Sequence, residues 1–184
     1  VHGSVSSLVL LPQVVQAVGV PVIASGGFAS GASLIAALAL GAHGVHCGTA
    51  FLATRESFAH DYHKRRIIEA RSEDTVYTDA FAINWPAHSP ARVLTNSSVA
   101  TLGGRLLGHD PAQLPHQVIA DEAGRPLYRY STDSPLRTTS GELEPLALFA
   151  GQSAGAIDAL PTAAERISEI VGCARATLLR LRGG

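Results

Sequence analysis

Hydrophobic positions follow two different periods over the first 51 residues. Residues 8–19 carry apolar side chains at close to helical spacing, which predicts a helix that ends at Gly19. The short β-branched run 20–25 predicts a strand that is buried on both faces. Residues 31–41 are rich in Ala and Leu and predict a second helix, and residues 44–51 predict a second strand. A strand, a glycine turn, a helix and a strand in this order are typical of a βαβ unit in a parallel sheet.

The pattern becomes less regular further along the chain. Residues 56–71 predict a helix capped by Thr54 or Ser57. Prolines punctuate residues 74–145, which predicts a loop-rich segment with a few short helices and strands that covers a site. Residues 161–181 return to helical spacing and predict a final helix.

A Gly-Gly pair after the first predicted strand and a Gly-Thr pair after the second have the position and chemistry of an anion site. Gly26 and Gly27 follow the first predicted strand, and glycine lets the backbone approach a ligand without a Cβ in the way. The next helix directs its first N–H groups toward the same place. Gly48 and Thr49 follow the second strand and supply further N–H groups and a hydroxyl. A phosphate is the usual ligand of such an arrangement, but glycines that simply turn the chain remain an equal alternative.

Composition narrows the class of protein. The chain has 184 residues, a formal net charge of -1 and two widely separated cysteines, Cys47 and Cys173. These values predict a single-domain, soluble, cytoplasmic protein that binds neither nucleic acid nor membranes. Methionine is absent even at position 1, so we expect the sequence to be a fragment or a processed chain.

Four stretches resemble the nitronate monooxygenases, formerly called 2-nitropropane dioxygenases. The resemblance is closest over residues 22–57, VIASGGFASGASLIAALALGAHGVHCGTAFLATRES. It continues at 75-TVYTDAF-81, 91-ARVLTN-96 and 150-AGQSAGAI-157. FMN-dependent enoyl reductases share much of the first stretch, so this rival family stays open.

The resemblance implies an α/β fold, the C-terminal portion of an FMN-binding TIM (β/α)8 barrel. Residues 1–73 would form the last barrel units with the FMN phosphate site, and residues 74–145 an irregular segment on the substrate side. Residues 146–184 would be a C-terminal helical segment that packs on the barrel. A complete barrel of this type has about 250 residues, so we expect this chain alone to be inactive.

The resemblance also implies a reaction and a set of residues. The reaction is the flavin-dependent oxidation of alkyl nitronates by molecular oxygen, which gives carbonyl compounds and nitrite. His2 is the candidate catalytic base, although a histidine just upstream of the chain fits the motif better. The residues expected to hold FMN are Gly26, Gly27, His46, Cys47, Gly48 and Thr49.

Other readings of the same residues point to ordinary structural roles. Cys47 lies in an apolar run, which favours a buried structural thiol over a nucleophile. His60 and His63 lack a third ligand, so we expect surface polar residues and no metal site. Lys64, Arg65 and Arg66 indicate a solvated helix face. A non-catalytic flavin- or phosphate-binding protein is a further alternative, and a homo-oligomer is compatible with the sequence.

Overall fold

The computed structural model describes residues 5–183 and shows a mixed α/β chain. The expected base His2 lies outside the described residues. The helices are α1 (Ser7–Ala17), α2 (Gly31–Ala39), α3 (Gly48–Leu52), α4 (Asp61–Glu69), α5 (Ser97–Ala100) and α6 (Ala163–Arg182). The strands are β1 (Ile23–Ser25), β2 (Gly44–His46), β3 (Thr75–Thr78), β4 (Ala91–Leu94), β5 (Val118–Glu122), β6 (Arg125–Tyr128) and β7 (Thr139–Gly141). Short 3₁₀ helices occupy Ser72–Asp74, Pro111–Gln113 and Gln152–Ala156.

The predicted βαβ unit is present. Strands β1 and β2 pair in parallel, and α2 connects them. The second strand is shorter than predicted, because it ends at His46 and Gly48 already begins α3. Pairing with β1 stops at the Ser25–His46 pair, so the following residues form local helical bonds such as Ala53 N–H to Thr49 O.

The prediction that the first strand is buried on both faces is wrong. Ala24 is buried in a cluster with Leu11 and Ala37, whereas Ile23 is 56% exposed. Successive strand residues point to opposite faces. Ala24 therefore faces the helices, and Ile23 points to a face that the described part of the chain leaves largely open.

The helices predicted over residues 8–19, 31–41 and 161–181 are present as α1, α2 and α6, and α2 packs closely on α6. Thr162 caps α6 in a capping box with Glu165. A Cβ on Gly31 would lie 2.1 Å from the Ala174 nitrogen and 2.3 Å from the Ile170 oxygen. The absence of a side chain at Gly31 thus allows the two helix backbones to touch.

Helix α4 begins at Asp61, five residues later than predicted, and its cap is neither Thr54 nor Ser57. Instead the ring of His60 accepts the Tyr62 N–H at 3.0 Å. The preceding residues are extended because they pair with a distant segment: Arg137 donates its N–H to Phe58 O.

Residues 75–141 form two small antiparallel sheets with irregular connections. Strands β3 and β4 form one sheet, and β6, β5 and β7 form the other in that order. Residues 146–150 run beside β4, since Leu94 N–H bonds to Leu148 O and Ala150 N–H bonds to Arg92 O. No helix in the described range is both long enough and apolar enough to cross a membrane.

Candidate functional site

The carboxyl ends of β1 and β2 lie side by side. Ser25 is the register partner of His46, and their side chains meet at 3.4 Å between Oγ and Nδ1. Gly26 and Gly27 follow with φ angles of 93° and 88°, in the left-handed region that glycine adopts without strain. The chain therefore turns sharply where both strands end.

The first turn of α2 retains free N–H groups. Ser30 Oγ accepts the Ser33 N–H at 3.2 Å, and Ser33 Oγ in turn accepts the Ser30 N–H. This capping box satisfies part of the helix terminus. The N–H groups of Gly31 and Ala32 have no acceptor among the described residues, although Gly31 is itself buried against α6.

The second strand end is connected to a distant part of the chain. Thr49 Oγ1 accepts the N–H of Gly151 at 2.9 Å. Because a hydroxyl oxygen that accepts one bond still carries its own proton, Thr49 can also donate to a ligand. The short helix α3 begins at Gly48, and Cys47 provides no side-chain cap.

A cleft of about 450 Å³ opens at this edge of the parallel sheet. Of the predicted residues, Gly26 and Gly27 line it directly, whereas His46, Cys47, Gly48 and Thr49 do not. Thr49 reaches the wall only through its bond to Gly151. The wall also contains Val5, Ser6, Ser7, Tyr77, Arg92, Gly151 and Gln152.

Arg92 provides the positive charge of this cleft. Its guanidinium lies over the Tyr77 ring at 5.9 Å from the centroid and donates to Thr75 O at 3.3 Å. Tyr77 and Arg92 are register partners on β3 and β4. Sequence reasoning did not single out Arg92, because its position depends on strand pairing that no local pattern reveals.

Cys47 is partly buried rather than fully buried, and it packs against the core around Ala50 and Leu148. Burial raises the pKa of the Cys47 thiol, so the thiol stays protonated at neutral pH. A nucleophilic role needs the thiolate, and this environment disfavours it.

The sequence agrees with one family over nearly its whole length. The family model described as nitronate monooxygenase matches residues 1–172. The chain belongs to the nitronate monooxygenase family. This membership confirms the resemblance drawn from the glycine-containing stretches.

Similar proteins carry related names. A probable nitronate monooxygenase of Staphylococcus haemolyticus is 38% identical over 98 residues, which are 53% of this chain and 26% of the relative. Another from Bacillus subtilis is 47% identical over 81 residues, which are 44% of this chain and 23% of the relative. The matched part is thus about a quarter of these nitronate monooxygenases.

Solved structures cover almost all of the chain. FabK from Thermotoga maritima is 32% identical with a TM-score of 0.78, over 98% of this chain and 52% of that one. A nitroalkane oxidase from Streptomyces ansochromogenes is 31% identical with a TM-score of 0.70, over 96% of this chain and 45% of that one. The chain therefore spans about half the length of these proteins.

In this nitronate monooxygenase family member, His63 is not the surface residue that we predicted. It is fully buried, and its Nε2 lies 3.1 Å from Phe149 O. Burial, together with the charge of Arg66, lowers the pKa of His63 to about 4 against the opposing effect of the Phe149 bond. The ring is consequently neutral at physiological pH. No group of residues that could hold a metal ion occurs in the described part of the chain.

The prediction of a solvated basic face on α4 is wrong for Lys64. This side chain is 1% exposed, and its Nζ donates to Ser57 O at 2.8 Å and to Arg55 O at 3.4 Å. Burial lowers the pKa of Lys64. The amine therefore stabilises the extended segment before α4 by donating to its backbone carbonyls. A pattern of charged residues in the sequence cannot predict this role, because every residue has a backbone carbonyl.

Proposed function

We propose that the chain is the phosphate-binding part of a flavin-dependent enzyme that oxidises alkyl nitronates with molecular oxygen. Two nitronate anions and one O2 would give two carbonyl compounds and two nitrite ions. In this proposal β1 and β2 are the last two strands of a TIM barrel, and FMN is the flavin. The observation that carries the proposal is the Gly26–Gly27 turn, which lines a cleft beside the paired ends of β1 and β2, in a chain of this family.

The residues present fit a phosphate group. A Cβ at Gly27 or Gly48 would meet no described atom within 4 Å, so both positions leave space at the backbone. The N–H groups of Gly31 and Ala32 have no acceptor among residues 5–183, and helix N-termini favour anions. Arg92 adds a permanent positive charge to the cleft that Gly27 lines.

The protein itself would bind the flavin phosphate and orient the flavin. The phosphate would sit between the turn at Gly27 and the start of α3, with backbone contributions from His46 and Cys47. Thr49 would donate its hydroxyl proton while it keeps Gly151 in place. Bound FMN would supply the electron chemistry between nitronate and oxygen.

The proton acceptor of this proposal comes from outside the described cleft. None of the described residues that line the cleft is His, Asp or Glu. The predicted base, His2 or a histidine before it, precedes the described range. An imidazole suits this step, because its ordinary pKa lies close to neutral pH.

Replacement of Gly48 tests the phosphate site without straining the backbone. Gly48 has ordinary helical geometry and open space around it, whereas Gly27 has a positive φ that any side chain would strain. We expect Gly48→Val to block the phosphate and to weaken FMN binding at least tenfold, since about two charge-assisted hydrogen bonds are lost. Riboflavin has no phosphate, so its weaker binding should change little. Flavin fluorescence titration measures both constants.

Gly172→Val is the matched control. Gly172 lies on the exposed side of α6, where a Cβ would also meet no described atom within 4 Å. This variant should keep the preference for FMN over riboflavin. Equal affinities for FMN and riboflavin in the unmodified protein, or an unchanged preference in Gly48→Val, would contradict the site.

An activity assay on the full-length enzyme separates the alternatives. A nitronate monooxygenase consumes oxygen when a nitronate is added, without any nicotinamide. An FMN-dependent enoyl reductase consumes NADH or NADPH instead. FMN binding without either activity would indicate the non-catalytic flavin-binding protein.

A further inference from the structure

A second cavity lies beside the antiparallel strands β3 and β4. It has a volume of about 290 Å³, and the residues on its wall are Phe81, Trp85, Ser89, Pro90, Ala91, Thr132 and Phe149. None of these residues lines the cleft that holds Gly27 and Arg92. The cavity is therefore not used by the proposed phosphate site.

The cavity and the cleft lie on opposite faces of β4. Ala91 lines the cavity, and the next residue, Arg92, lines the cleft. Consecutive residues of a strand point to opposite faces. Strand β4 thus forms a wall shared by the two spaces, and a ligand in one does not occupy the other.

The wall of the cavity is aromatic and uncharged. Phe81, Trp85 and Phe149 provide three ring systems, and aromatic rings favour other aromatic groups at their edges and faces. None of the residues on this wall carries a formal charge. This composition favours a neutral, aromatic ligand over an ion.

Two hydroxyl groups add a polar edge to this wall. Ser89 and Thr132 are both partly buried, and neither hydroxyl has a hydrogen-bond partner among the described residues. Thr132 is held close to the segment that contains Phe81 and Trp85. Ile83 N–H bonds to Tyr130 O, and Ile83 forms a β-bridge with Ser131, the residue before Thr132. Hydroxyls of this kind can donate to a carbonyl or ether oxygen of a ligand.

Volume indicates the size of the ligand. An apolar cavity of about 150 Å³ is known to hold one benzene ring. A cavity of about 290 Å³ has room for a fused two-ring system. We propose that this cavity is a second small-molecule site, which binds a neutral bicyclic aromatic compound with one hydrogen-bond acceptor, separately from the flavin cleft.

The sequence provides a reporter for the experiment. Trp85 is the single tryptophan of the chain, it lies on the cavity wall, and it is 54% exposed. The probe is 1-indanone, a bicyclic aromatic ketone, and indane is the matched compound without the carbonyl. We expect 1-indanone to change the Trp85 emission saturably, with a dissociation constant on the order of 0.1–1 mM. Calorimetric titration should give the same constant, and free N-acetyltryptophanamide corrects for collisional quenching.

Two comparisons test whether the hydroxyls of Ser89 and Thr132 bind the carbonyl of 1-indanone. Indane should bind about five- to tenfold more weakly than 1-indanone, because it offers no acceptor to the hydroxyls. The double variant Ser89→Ala/Thr132→Val should bind both compounds with the weaker constant. A ketone preference that survives in the double variant would overturn the assignment of these hydroxyls.

Further variants locate the site. Ala91→Phe should fill the cavity and abolish saturable binding, whereas Ala100→Phe, at an exposed position of α5, should leave it unchanged. Saturation with FMN should not displace 1-indanone, and Gly48→Val should bind it normally. Displacement by FMN, or unchanged binding in Ala91→Phe, would overturn the proposal of a separate site.

Discussion

The βαβ unit and the segment of residues 75–141 are stabilised in different ways. In the βαβ unit, β1, α2 and β2 follow one another closely, and the helix caps itself with Ser30 and Ser33. In the later segment, single polar side chains connect backbone groups that are far apart in sequence. Asn96 donates to Glu144 O at 2.9 Å and to Leu146 O at 2.8 Å, and its oxygen caps α5.

Asp79 provides a second example of this long-range stabilisation. Its carboxylate accepts the N–H of Gly108 at 2.9 Å and the Nδ1 of His109 at 2.7 Å, with both side chains buried. Burial by itself would raise the pKa of Asp79, but these hydrogen bonds hold the pKa below its ordinary value. The first region is thus specified by local sequence, and the second by a few buried polar residues.

The largest effect should come from the βαβ unit at its contact with α6. Gly31→Ala places a methyl group within 2.1 Å of the Ala174 backbone, where no flexible side chain can move away. We expect a loss of more than about 3 kcal/mol in the free energy of unfolding. Urea denaturation measures it. Gly172→Ala, on the exposed side of the same helix α6, should instead be neutral or slightly stabilising; equal effects would contradict the tight packing.

A pH effect should appear at α4, which follows the βαβ unit and precedes the segment of residues 75–141 in the sequence. His63 on α4 contacts Phe149, which bridges to Val93 of β4. Its pKa of about 4 lies below the ordinary 6.5, so as the pH falls the unfolded chain takes up the proton first. The contribution of neutral His63 to the free energy of unfolding is therefore fully present above about pH 6.5. It declines as the pH falls toward 4, by roughly 3 kcal/mol in total.

His63→Gln isolates this contribution. Denaturation curves of the variant and the unmodified protein between pH 4 and pH 7 should converge as the pH falls, because the variant has lost only the histidine's part of the pH dependence. A difference in stability that stays constant over this range would show that His63 does not titrate as a buried neutral ring.

A smaller loss is expected from the later segment. Asn96→Ala removes the α5 cap and leaves the carbonyls of Glu144 and Leu146 without their donor, which should cost about 2 kcal/mol. Thermal unfolding measures the change. Gln113→Ala, which removes an amide bonded to the exposed Asp110, should change stability by less than about 0.5 kcal/mol. A comparable loss in both variants would argue against the special role of Asn96.

Local sequence patterns predicted the turns and helices that depend on interactions between residues close in the sequence. The glycine turn and α2 could be located because each depends on neighbours within a few residues. The end of the second strand at His46 could not, since it depends on where β1 turns away. The burial of Lys64 was missed for a similar reason: its acceptors are backbone carbonyls, which have no signature in the sequence.

The residues of the candidate site also differ in whether the local sequence predicts them. Gly26 and Gly27 lie on the cleft, as their position after a strand suggested. Arg92 joins them only through pairing of distant segments, and the resemblance marked its stretch without giving this residue a role. The assignment of Gly48, Thr49, His46 and Cys47 to a phosphate stays a prediction until flavin binding is measured.

The hydrogen bond between Thr49 and Gly151 has a consequence for biosynthesis. The two residues are 102 positions apart, so a ribosome must add the whole intervening segment before the bond can form. Local structure such as the β1–β2 pair can develop earlier, whereas contacts of this sequence separation form late, because the long loop must first close. In the proposed flavin site, loading with cofactor would therefore follow release of residue 151 from the ribosomal tunnel, and a nascent chain stalled before it would retain no flavin.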